Sequence, residues 1–221
     1  MHKNIDFKIY CLTICICILS NITSCTGQVH RTGKDVAVGG GCDGCEIMYK
    51  GMPGNITATD TSSAWNGPGY KLILNGKVFK ADGTTPAAGI IIYYWQTNQA
   101  GFYAKGATPF LQTPHGAIRG WVKTNATGQF TIYTIRPAPY PNAKIPAHIH
   151  TSIKEPGLTE YYIDDFVFND DPLLTVEKRS ALENRGGSGI LQLTEANGAL
   201  YGNCKIILGK NIPGYPAGRK K

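Results

Sequence analysis

The run Gly89-Ile90-Ile91-Ile92-Tyr93-Tyr94-Trp95 places β-branched and aromatic side chains at six successive positions. Such residues lose rotamer freedom against the preceding turn of a helix but fit a pleated surface, so the run reads as a buried strand. Shorter runs of similar character recur on both sides of it. Leu72, Leu74 and Val78 fall on alternate positions before a turn at Lys80-Ala81-Asp82-Gly83. Residues 121–123 and 129–135 flank Asn125-Ala126-Thr127-Gly128, a pattern that predicts a hairpin. Residues 148–154, 161–168, 190–193 and 200–208 supply further strands, the last two joined at Asn197-Gly198, the strongest short hairpin signal in the chain. Only residues 173–184 have a helical look. Many short strands, with 27 glycines and 13 prolines to turn between them, predict an all-β fold, a β-sandwich.

The 221 residues suit one domain with enough chain to bury a core. Residues 1–24 read as a lipoprotein signal peptide: His2, Lys3 and Lys8 flank a short start, residues 9–19 form an apolar stretch, and Ile22-Thr23-Ser24-Cys25 resembles a bacterial lipobox. On that reading Cys25 carries lipid and the protein is exported and membrane-anchored, in the periplasm or on the outer-membrane surface. An ordinary secretory peptide is the alternative; the apolar stretch is shorter than a membrane span needs. Residues 25–65 are rich in Gly, Thr and Ser without sustained periodicity and predict a tether and N-terminal arm, leaving residues 66–221 as the folded domain.

Beyond Cys25 the chain keeps Cys42, Cys45 and Cys204. An oxidising compartment favours a disulfide, either within Cys42-Asp43-Gly44-Cys45 or from one of that pair to Cys204. The pair lacks the βαβ setting of a thioredoxin-like redox motif, and a zinc knuckle lacks a fourth ligand. The formal charge of +7 comes without a basic run except at Arg219-Lys220-Lys221, which argues against a nucleic-acid partner. A mildly cationic surface suits an anionic aromatic acid.

Residues two apart on a strand project to one face, so His148 and His150 can meet one ion while Ile149 points into the opposite, apolar layer. Few other imidazoles compete: of five histidines, His2 lies in the signal, His30 in the tether and His115 in a predicted loop. Tyr140 sits in Pro137-Ala138-Pro139-Tyr140-Pro141, where fixed φ values make a stiff loop able to hold a phenol close to the histidine strand. Asp164-Asp165 and Asp170-Asp171 lack the ligand spacing of a calcium loop and read as solvated turns.

A series of motifs in fixed order resembles the intradiol ring-cleavage dioxygenases, the superfamily of protocatechuate and catechol dioxygenases. It runs from Gly67-Pro68-Gly69-Tyr70 through Pro86-Ala87-Ala88-Gly89, Trp95-Gln96-Thr97-Asn98, Arg119-Gly120-Trp121, Gly128-Gln129-Phe130 and Pro139-Tyr140-Pro141 to Pro146-Ala147-His148-Ile149-His150. The resemblance covers about residues 67–208. It implies the β-sandwich of the intradiol dioxygenase core type, with Tyr103, Tyr140, His148 and His150 as ligands of a non-haem Fe(III). Tyr103 is chosen by the resemblance alone. Phenolates are hard, strongly donating anions that suit ferric iron, so the donor set agrees with the implied metal. The implied substrates are a catechol and O2, the implied product a cis,cis-muconate-type acid, and Tyr140 the catalytic base that leaves the metal. Association with further copies of the chain is left open.

One position departs from the family pattern. Where the family carries an arginine three residues before the first histidine ligand, this chain has Ile145. Arg119, Arg136 and Lys144 are the candidates to supply the missing charge, although an ammonium does not replace a planar guanidinium without loss. Ile145 also keeps a second reading in view, an exported sandwich that binds aromatic or glycan ligands without turnover. The lipobox reading has its own test. Radiolabelled palmitate fed to expressing cells should enter the protein at Cys25, and Cys25→Ala should abolish the label; labelling of the variant would show that the acyl chain is elsewhere.

Overall fold

The computed structural model describes residues 35–42, 44–106, 112–216 and 218. The signal-like segment and Cys25 lie outside the described residues. In chain order the strands are β1 (Thr59–Thr61), β2 (Lys71–Phe79), β3 (Ile91–Gln96), β4 (Arg119–Lys123), β5 (Gln129–Ile135) and β6 (His148–Lys154). They continue with β7 (Tyr161–Tyr162), β8 (Phe166–Phe168), β9 (Ile190–Leu191), β10 (Leu193–Ala196) and β11 (Ala199–Ile207). One sheet has the order β1-β5-β2-β11-β10; the other has the order β4-β3-β6-β8-β9, with β7 paired to β6. No helix among the described residues is long and apolar enough to cross a membrane.

The alternation read in β2 is the core-forming pattern. Leu72, Leu74 and Val78 are fully buried and join Phe130 and Ile132 of β5 in one apolar cluster with Ile92 and Tyr94 of β3 and Ile149 and Ile153 of β6. Burial of these side chains between two sheets is the main stabilising term of such a fold.

The second sheet is covered on its outer face as well. Tyr93 and Trp95 of β3 pack into a separate cluster with Met48, which comes from a 3-10 turn at Cys45–Tyr49 in the N-terminal arm. Trp121 Nε1 donates to the Met48 carbonyl at 2.8 Å and ties β4 to the arm. Two apolar faces on one strand explain why the run 90–95 has no polar break. The arm is therefore more than a tether: β1 extends the first sheet parallel to β5, and Cys42 and Cys45 form a disulfide, which leaves Cys204 free.

Three expectations change in the fold. Residues 125–128 do turn the chain, with Gly128 N donating to Asn125 O at 2.9 Å, but β4 and β5 belong to different sheets, so the turn carries the chain across the sandwich and closes no hairpin. The stretch 161–168 is broken into β7 and β8, because the Asp164 carboxylate turns inward to accept the amides of Asn184 at 2.8 Å and Arg185 at 3.1 Å. The helical stretch is reduced to α1 (Val176–Ser180), capped by Thr175. The Asn197-Gly198 turn is as predicted: both residues have positive φ, 50° and 73°, and join β10 to β11 in antiparallel register.

Ile149 sits between His148 and His150 in sequence and is wholly buried on the core side of β6. Ile149→Ala should lower the stability to unfolding by about 2 to 5 kcal/mol, the usual cost of a core truncation. Chemical denaturation checks this, and a loss under about 1 kcal/mol would mean that the strand is not anchored through this side chain.

Candidate metal centre

Strand geometry puts His148 and His150 on the outer face of β6, opposite Ile149. Register pairs His150 with Trp95 across β3, and the indole stacks on the imidazole at 4.8 Å. The chain enters β6 through Pro146 and Ala147, and the buried Asp171 carboxylate holds that approach by accepting the Ala147 amide at 2.7 Å and the Leu173 amide at 2.8 Å. Asp171 is thus a structural anchor and not a solvated turn.

Two loops bring the phenols. Asn98, at the end of β3, accepts the amides of Ala100 and Phe102 on its side-chain oxygen, and its carbonyl accepts the Ala138 amide at 3.1 Å. The loop carrying Tyr103 is thereby laid against the loop carrying Tyr140. Gly101, at φ 81°, allows the approach, because a side chain there would strike the Pro139 carbonyl.

The four side chains meet at their donor atoms. Tyr103 Oη lies 2.6 Å from Tyr140 Oη and 2.9 Å from His150 Nε2, Tyr140 Oη lies 3.4 Å from His150 Nε2, and the two Nε2 atoms are 3.1 Å apart. The outer nitrogens show which tautomers are present. His148 Nδ1 is 2.7 Å from the Pro146 carbonyl, which can only accept, and His150 Nδ1 is 3.0 Å from the Asp165 carboxylate. Each Nδ1 therefore donates outward, so that in the neutral ring each Nε2 turns a bare lone pair inward. Burial, helped by the neighbouring His150, lowers the His148 pKa and keeps that ring neutral.

Two lone pairs facing each other at this distance repel, and the Tyr103 hydroxyl can donate to His150 without relieving His148. A cation shared by both nitrogens removes the conflict. Ligand bonds of roughly 2 Å place neighbouring donors about 3 Å apart, which is the spacing found here. The donor set, two imidazoles and two phenols, fits a hard, highly charged metal ion. Burial and the Tyr140 contact push the Tyr103 phenol well above the usual tyrosine range, a shift that a bound cation would oppose.

His148, His150 and Asp165 also form a cluster with metal-ligating atoms close together. Asp165 engages the Nδ1 of His150, the nitrogen on the far side of that ring from the phenols, and so acts as the partner that orients the imidazole. Sequence reading passed over Asp165 as part of a solvated turn; its nearness to the histidine strand arises from the antiparallel pairing of β6 with β8. His115 lies in a loop, as expected, and is buried there. It stacks on Trp95 at 4.0 Å, meets the Tyr93 hydroxyl at 3.0 Å through Nδ1, and has its pKa lowered to about 4, chiefly by burial.

A cavity of about 650 Å³ opens onto His148 and His150. None of the three cations expected to serve the substrate lines it. Arg136 forms a paired ion bridge to Asp170 at 2.7 and 2.8 Å and lies over Phe168. Arg119 is buried beside Tyr93 and Trp121, with Nε and Nη2 lacking a partner among the described residues. Lys144 is exposed outside the cavity. The cation that lines the cavity is Lys178 of α1. Its ammonium donates to the carbonyls of Lys144 and Leu173.

A family model described as "Dioxygenase" matches residues 51–197. The chain is 30% identical over 116 residues to the protocatechuate 3,4-dioxygenase beta chain of Burkholderia cepacia, covering 49% of each chain. It is 31% identical over 123 residues to the chlorocatechol 1,2-dioxygenase of Pseudomonas sp. (strain P51), covering 46% of this chain and 47% of that one. It therefore spans about half the length of these curated relatives. Among solved structures, the fold is shared with the dioxygenase domain of a dioxygenase carbohydrate-binding protein fusion from Streptomyces sp. SirexAA-E, at TM-score 0.52 and 24% identity over 71% of this chain and 91% of that one. It is also shared with 3-chlorocatechol 1,2-dioxygenase from Rhodococcus opacus 1CP, at TM-score 0.53 and 24% identity over 71% of this chain and 67% of that one. The matched stretch, the common sandwich and the ordered motifs together show that this chain belongs to the intradiol ring-cleavage dioxygenase family.

Proposed function

We propose that the chain is a non-haem Fe(III) dioxygenase that opens a catechol-type ring between its two hydroxyl-bearing carbons and yields a cis,cis-muconate-type acid. The observation that supports this most strongly is the convergence of four donor atoms within 2.6 to 3.4 Å of one another along the contacts that His150 Nε2 and Tyr103 Oη make. Tyr103, Tyr140, His148 and His150 would hold the iron. Bound there, Fe(III) would act as a Lewis acid that favours the deprotonated catecholate, the form of the ring able to give electrons to O2. Both oxygen atoms end in the product: one carbon-carbon bond breaks, each of its carbons becomes a carboxyl carbon, and the ring supplies all the electrons, so no external reductant is needed.

The protein's own part is to hold protons and orientation. The Pro146 carbonyl and Asp165 keep the Nδ1 protons of His148 and His150 on the outside and both Nε2 lone pairs inside. Trp95 keeps the His150 ring from rotating. Tyr140, hydrogen-bonded to Tyr103 and held in its proline-rich loop, is the residue that accepts a catechol proton at Oη. Apolar walls at Ile145, Val167 and Leu174 limit water beside the reacting ring.

Iron-loaded protein should be red-brown, because phenolate-to-iron charge transfer absorbs visible light, and Tyr103→Phe and Tyr140→Phe should each weaken or shift that band. A colourless iron-replete wild type would remove the phenolate assignment. Oxygen uptake with mass spectrometry of the products should show muconate-type acids from catechols, and His148→Ala or His150→Ala should end turnover through loss of iron. Iron-replete, coloured protein that binds catechols yet consumes no oxygen with any of them would sink the enzyme reading.

Asp165→Asn should lower iron affinity about 10- to 100-fold, the usual effect of removing a carboxylate from behind a ligand imidazole. Competition against a chelator of known affinity measures it. Unchanged affinity would mean that the His150 ring is oriented without Asp165.

A further inference from the structure

Resting on the ring-cleavage reading, we propose that the substrate is a catechol carrying a bulky, uncharged, apolar substituent, such as an aryl or branched alkyl group, and that ring acids are poor substrates. Size is the first reason. The cavity beside the histidines is about 650 Å³, within the range of roughly 300 to 1,000 Å³ that encloses drug-sized molecules, and much more than one dihydroxylated ring needs.

Wall chemistry is the second reason. Ile145, Pro146, Val167, Leu174, Ala181 and Leu182 line the space beyond the imidazoles. Ile145 is 47% exposed, and an apolar substituent lying against it would cover that surface.

Charge is the third reason. The charged residues lining the cavity are Asp164, Asp165, Glu183 and Lys178. Lys178 already donates to the backbone carbonyls of Lys144 and Leu173, Asp165 engages His150, and Glu183, paired with Arg185 at 3.7 Å, is 66% exposed. A substrate carboxylate would meet more negative than positive charge here and find no guanidinium among the lining residues to form a paired contact. The basic character of the whole chain, +7, does not extend to this cavity.

The test is a titration of the iron-loaded full chain with catechol, protocatechuate, 4-tert-butylcatechol and 4-phenylcatechol. The shift of the visible band gives Kd, and oxygen uptake gives kcat/KM. The two apolar catechols should bind at least about tenfold more tightly than catechol, as burial of a ring-sized apolar group allows, and protocatechuate should bind most weakly. Ile145→Arg should reverse the order of protocatechuate and 4-phenylcatechol. Leu182→Trp, which reduces the space without adding charge, should cut the preference for 4-phenylcatechol over catechol. Tighter binding of protocatechuate than of 4-phenylcatechol by the wild type overturns the proposal while leaving ring cleavage intact, and so does a 4-phenylcatechol preference that neither variant alters. A coloured protein whose band shifts with none of the four overturns the ring-cleavage reading and this proposal with it.

Discussion

Two imidazole Nε2 atoms, on rings whose Nδ1 atoms each donate a hydrogen bond on the other side, are held 3.1 Å apart and turned toward one centre. The arrangement is repulsive in itself and has to be enforced. Enforcement comes from three places at once: the Pro146 carbonyl, the Asp165 carboxylate and the flat face of Trp95. Each belongs to a different part of the chain, so the site is stable only when the sandwich is complete. The two phenols close the cluster from loops that are themselves pinned to each other through Asn98.

That enforcement depends on the apolar packing of β3 and β6. Ile149 and Ile153 bury the inner side of β6 in the main core, and Tyr93 and Trp95 bury the outer side of its neighbour β3 under the N-terminal arm. The arm, closed locally by the Cys42–Cys45 disulfide, is held in turn by Trp121 on the Met48 carbonyl. With its inner face buried, β6 cannot slip by one residue without driving Ile149 out of the core and the histidines into it. Packing of apolar side chains thereby fixes which face of β6 carries the donor atoms, and the polar contacts at Nδ1 then set the orientation of each ring.

The acidic pairs show how burial changes the meaning of a residue. Asp164, Asp165 and Asp171 lie in short polar stretches that look solvated along the chain. In the fold each accepts a different kind of donor: Asp164 the amides of the 184–185 turn, Asp165 an imidazole, Asp171 the amides that lead into β6 and α1. The reverse holds for Arg136 and Arg119, whose charges are spent on Asp170 and on an aromatic cluster away from the cavity. Charge placement around the site is set by these contacts, which join residues tens of positions apart.

Local patterns along the chain were enough for the all-β class, for β5 and β6 at their full extents, for the Asn197-Gly198 hairpin and for the shared face of His148 and His150. Strand periodicity and turn chemistry act between near neighbours, so they can be read from residues a few positions apart. Tyr103 was legible only through resemblance to a family, since nothing beside it distinguishes it from eleven other tyrosines, given 12 in all. Sheet membership of β4 and β5, the orienting role of Asp165, the burial of His115 and the acidic, apolar character of the cavity were decided by tertiary structure alone. Each of these depends on which distant strands become neighbours, and that is a property of how two sheets bury their apolar faces together rather than of any short stretch of chain.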